Sequence, residues 1–75
     1  MTPSERRLCD WQYADGNDEG FYTLLFRLMA RADEDNLVNT EKGFPAEAMA
    51  FRLFRSDKRY WPKLEEEYLR KEVIE

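Results

Sequence analysis

The residues best equipped for chemistry lie between Phe51 and Lys63. Arg52, Arg55, Lys58, Arg59 and Lys63 stand there against one acid, Asp57, interleaved with Phe51, Phe54, Tyr60 and Trp61. Basic groups hold phosphates and aromatic rings stack on bases, so the pattern fits nucleic-acid contact. If a helix continues through the segment, Arg52, Arg55 and Arg59 share a face. The same residues also fit a helix whose arginines are solvated while its aromatics fill a core, and arginine near a helix end complements the dipole. The chain as a whole carries 12 Lys and Arg against 16 Asp and Glu, a net charge of −4. That balance opposes a phosphate backbone. Another protein is therefore the leading partner, and nucleic acid the alternative.

Other reactive chemistry is sparse. The chain has no histidine, which removes the commonest general base and metal ligand. Cys9 is the single cysteine, so it has neither an intrachain disulfide partner nor a histidine to activate it. The acidic runs Asp33-Glu34-Asp35 and Glu65-Glu66-Glu67 point their carboxylates in different directions on a helix, which does not make a paired acid and base. No glycine spacing matches a phosphate loop. Asp15-Gly16-Asn17-Asp18-Glu19-Gly20 begins like a calcium loop, but Phe26 occupies the twelfth position where a bidentate glutamate is needed. A polar turn with a helix cap explains it better. The expectation is a protein that is not an enzyme and needs no cofactor or metal.

Seventy-five residues make one domain, and one this small buries about 60–65% of its unfolded surface. Eleven aromatic residues add to a limited core. The longest hydrophobic stretch, Phe21 to Ala32, reads as a central helix of about residues 19–33. Phe21, Leu24, Leu25, Leu28 and Ala32 form one apolar face, and Tyr22, Phe26 and Met29 a second nearly opposite, so both faces should be covered. Before it, Thr2-Pro3-Ser4-Glu5 has the form of a capping box opening a helix to about Tyr13, with Leu8, Trp11 and Cys9 inward. Gly16 could end that helix in the left-handed conformation, and Asn17 or Asp18 could cap the next.

Further along, Asp33 is the expected cap of a short helix ending at Gly43, and Pro45 opens a fourth with Ala46, Met49, Ala50, Leu53 and Phe54 inward. Pro62 starts a last helix, packed by Trp61, Leu64, Tyr68 and Leu69, whose tail from Arg70 should fray. The fold class is all-α: a compact bundle of four to five short helices in a single domain over residues 1–75. No stretch has the length of a transmembrane helix or the apolar core of a secretory signal, and the single cysteine suits a reducing compartment, so a cytoplasmic location is expected. The first fifty residues hold ten acids and five bases, the last twenty-five six and seven. If that asymmetry persists in space, an acidic and a basic surface result.

The pattern Phe21, Leu25, Phe26, Ala32-Asp33, Asn36-Leu37, Gly43-Phe44-Pro45, Glu47, Ala50, Tyr60-Trp61 resembles small uncharacterised helical proteins of phages and bacterial mobile elements. The resemblance covers about half the chain and brings no catalytic or binding residues with it. It implies an accessory protein that binds a host protein, and by size and acidity inhibitors of the anti-CRISPR kind are an analogy. A homodimer is a further expectation, because so apolar a helix in so small a domain can lack neighbours for both faces.

Overall fold

A computed structural model describes the backbone of residues 1–74 and side chains through Arg70. Five helices follow one another: α1 (Pro3–Tyr13), α2 (Phe21–Arg31), α3 (Glu34–Gly43), α4 (Pro45–Ser56) and α5 (Tyr60–Ile74). The all-α bundle is as the sequence indicates. α5 continues as a helix to Ile74, past Arg70 where the sequence indicates fraying.

Local sequence sets most boundaries. Thr2 accepts from the Glu5 N–H at 3.2 Å while the Glu5 carboxylate accepts from the Thr2 N–H at 2.9 Å, completing the capping box of α1. Asp33 caps α3 through the Asn36 N–H at 2.9 Å, and Pro45 opens α4. Two cap expectations fail. No glycine among the described residues has a positive φ, so Gly16 does not end α1. Ala14 does so in an extended conformation, its N–H bonded to the Trp11 carbonyl at 3.2 Å. Gly20, not Asn17 or Asp18, stands at the start of α2. The Asp15 and Asp18 carboxylates accept instead from the N–H groups of Asn17 and Gly20, both at 2.8 Å, turning the linker tightly.

The core assembles where α1 and α4 meet α2. Leu8, Phe26, Met29, Leu37 and Ala48 are fully buried, with Leu25, Ala50 and Phe51 nearly so. Trp11 lies among them: its ring stacks on Phe26 at 5.4 Å and meets Phe51 at 6.2 Å and Phe54 at 5.6 Å. α4 packs against all four other helices, whereas α2 packs against α1, α3 and α4. On the far side, Cys9, Leu64 and Tyr68 form a smaller cluster between α1 and α5.

Two expected apolar stripes turn out rotated. Leu25 joins Phe26 and Met29 inward, but Phe21, Leu24 and Leu28 are 62%, 47% and 58% exposed, so only one face of α2 is covered. On α4 the buried residues are Glu47, Ala48, Ala50 and Phe51, while Ala46, Met49 and Leu53 lie outward. Leu69 of α5 is likewise exposed. Periodicity locates an apolar stripe but cannot say which of two stripes finds a neighbour.

Truncating the core should separate these faces. Measured by urea unfolding, Phe26→Ala should cost about 3–5 kcal/mol, whereas Leu24→Ala should cost no more than about 1 kcal/mol. Equal losses at both positions would mean that α2 is covered on both sides.

Candidate interaction surfaces

The basic segment is divided by the fold. α4 stops at Ser56, whose hydroxyl bonds back to the Arg52 carbonyl at 2.7 Å, so Arg59 lies in a turn and does not share a face with Arg52 and Arg55. Arg52 bridges Glu41 and Glu34 of α3, each at 2.8 Å. Arg55 lies 3.9 Å from Glu34 and 5.3 Å from the Phe51 ring centroid. These pairs fasten α3 to α4. The Arg52 hydrogen bond holds the Glu34 carboxyl below its ordinary range. Acidic α3 and basic α4 thus face each other rather than forming separate surfaces.

The aromatics of the segment are also engaged. Trp61 is half-buried, edge-on to Phe54 at 5.4 Å. Tyr60 is half-buried and donates its hydroxyl to Glu5 at 2.9 Å, and burial together with that bond pushes its pKa up. Lys58, Arg59 and Lys63 are exposed and, among the described residues, carry no ion pair. The structure therefore gathers three free cations around the α4–α5 turn, but without an open aromatic platform beside them.

Three tyrosine hydroxyls bind α5 to α1. Besides Tyr60 to Glu5, Tyr68 donates to Asp10 at 2.8 Å and Tyr13 to Glu65. Tyr13 and Tyr68 also stack, with ring centroids 5.5 Å apart. Cys9 is sealed beneath, its thiol pushed up to about 11 by burial and by the carboxylates around it, so it stays protonated at neutral pH. Among the described residues, no group of three His, Cys, Asp or Glu side chains is placed to hold a metal.

Sequence reasoning missed Arg7 and Glu47. Glu47 is 7% exposed and its carboxylate pairs with Arg7 at 3.7 Å, while the Arg7 guanidinium lies 4.0 Å above the Tyr22 ring. One arginine thereby joins α1, α2 and α4. The sequence signal was weak, since a single Arg and a single Glu forty residues apart look like any surface charges.

Beside this pair runs an open groove between the start of α1 and α4, walled by Pro3, Met49 and Leu53 and floored by Ser4, Ala50 and Tyr60. A second depression on the other side of Met49 and Leu53 is bounded by Pro45, Arg52 and Ser56. Met49 is 65% exposed and Leu53 36%, and they form a ridge one helical turn long between two hollows. Phe21, Leu24 and Leu28 form a further exposed apolar stripe on α2. No helix among the described residues is long and apolar enough to cross a membrane. No family model matches the chain, and neither the curated proteins nor the solved structures contain a match to it.

The capping box carries a pH dependence. Burial pushes the Glu5 carboxyl up, but hydrogen bonds from the Thr2 N–H, the Tyr60 hydroxyl and the Thr2 hydroxyl, with the positive N-terminus, bring it below its ordinary value of 4.5. A depressed carboxyl stabilises the fold above its unfolded pKa and loses that contribution as pH falls through the folded value. Glu5→Gln should lower the urea midpoint at pH 7, with the gap from the parent closing below pH 4.5. A gap unchanged down to pH 2 would show that the Glu5 charge contributes nothing.

Proposed function

We propose that this protein is a non-enzymatic interaction module, acting in the cytoplasm by binding another protein through the groove and ridge of α4. The observation that carries the reading is the Met49–Leu53 ridge between two apolar hollows, on the surface of a chain that is otherwise highly charged. A groove of this form receives the apolar side of an amphipathic helix, whose side chains at successive turns would enter the two hollows. Methionine suits such a surface because its side chain adapts to different neighbours. The charges at the rim are already occupied: Arg52 by Glu34 and Glu41, and Glu47 by Arg7. Attraction would therefore come from apolar burial, with weak dependence on salt.

The thin catalytic inventory supports a binding role, since the one thiol is buried and the carboxylates near the groove are tied into caps and ion pairs. By size, acidity and the resemblance described above, an accessory protein of a phage or mobile element that modulates a host protein is the biological setting proposed. Nucleic-acid binding stands second, resting on Lys58, Arg59 and Lys63.

The test compares the tagged protein with Met49→Glu/Leu53→Glu as bait in cells of its source. Both positions are exposed, so the variant should keep its helical circular dichroism and unfolding midpoint. The parent should retain a specific protein through a high-salt wash, and the variant should lose it. Recovery of the same protein by both baits, or of nucleic acid released steeply by salt, would overturn the reading.

A further inference from the structure

We infer that the outer face of α2 is the contact of an antiparallel homodimer, in which the α2 helices of two copies pack across a two-fold axis near Leu24. The face consists of Phe21, Leu24 and Leu28, spaced three and four residues apart, which is the seam that two helices share when they pack side by side. The same stripe on a second copy can lie alongside it, the three side chains of each helix seating between those of the other.

Charge selects the second copy and its direction. At one end of the stripe Glu19 is exposed, and at the other Arg31 is exposed, and neither has an ion pair among the described residues. Three of the acids nearby are already engaged: Asp18 holds the Gly20 N–H, Asp33 holds the Asn36 N–H, and Glu34 binds Arg52, while Asp35 belongs to α3 and not to the stripe. Arg27, beside the stripe, reaches the Asp15 carbonyl at 3.4 Å. A parallel pair would set Arg31 against Arg31 of the partner subunit and Glu19 against its equivalent. The antiparallel pair places Phe21 beside the partner's Leu28 and Arg31 beside the partner's Glu19, and does so twice by symmetry. Opposed helix dipoles favour the same direction.

The contact is small. One pair of three-turn helices falls below the roughly 1,200 Å² of a standard interface, so the dimer is weak and forms in the micromolar range or above. The inference uses a different helix from the proposed function and does not depend on it. Met49→Glu/Leu53→Glu should leave association unchanged.

Sedimentation of the full chain from low micromolar to millimolar concentration should show a reversible shift from monomer to dimer. Leu28→Glu should weaken association by at least about tenfold while keeping the helical spectrum, since Leu28 is 58% exposed. Arg31→Glu and Glu19→Lys should each weaken self-association. An equimolar mixture of these two variants should form a heterodimer, read by native mass spectrometry, because both cross-axis pairs are then restored. A mass that stays monomeric throughout would overturn the proposal and leave the stripe to another occupant. A dimer unaffected by Leu28→Glu would place the contact elsewhere, and failure of the charge-swapped variants to pair would overturn the antiparallel arrangement.

Discussion

The bundle depends on one side chain, Trp11, which among the described residues alone has a ring meeting aromatic rings of both α2 and α4. It lies flat on Phe26 at 5.4 Å and edge-on to Phe54 at 5.6 Å, and Phe54 in turn meets Trp61 of α5. Four helices are thus joined through one indole. In a domain of 75 residues the core is too small for many independent contacts, so a few large side chains have to serve several interfaces at once. This is why α4, rather than the more hydrophobic α2, packs against all four other helices.

Around that core, charge compensates for what apolar burial cannot supply. Arg7 spans Glu47 and Tyr22, Arg52 fastens α3 to α4, and tyrosine hydroxyls draw α5 against α1. Each of these bonds has a carboxylate or an arginine as partner, and such charge-assisted bonds are stronger than neutral ones. α5 illustrates the need: among its side chains described through Arg70, Leu64 and Tyr68 alone are buried, so its hydroxyl contacts to α1 fix its position as much as its packing does. Internal use of charge also explains why a segment rich in arginine presents so few free cations.

Helix existence and the starts of α1, α3 and α4 were legible because they are local, whereas α5 starts at Tyr60 and not at Pro62. Thr2, Asp33 and Pro45 act within one turn of themselves, and nothing distant competes. The orientation of α2 and α4 was not legible. Both carry apolar residues around much of their circumference, and only the position of Trp11 and Phe51 decides that Met29 and Ala50 turn inward while Leu28 and Met49 do not. The basic segment misled for the same reason. Arg52 and Arg55 share a face as the spacing indicates, but Glu34 and Glu41 approach that face from α3, a juxtaposition that no local pattern records.

The two apolar surfaces left bare differ in shape, and the difference follows from their neighbours. α4 is flanked by α1 and α3, which rise on either side of Met49 and Leu53 and leave hollows between. On α2 the stripe of Phe21, Leu24 and Leu28 stands more openly, meeting Phe44 at one end and a hollow lined by Asn36, Asn39 and Thr40 of α3 at the other. Both helices nevertheless rest on Trp11 from their inner sides, through Phe26 and through Phe51 and Phe54. Any occupant that binds only the folded chain adds its binding free energy to the stability of that shared core. In a domain with so little core to spare, covering either surface therefore holds the whole bundle together, and the exposed leucines and methionine are as much a means of completing the fold as of recognising a partner.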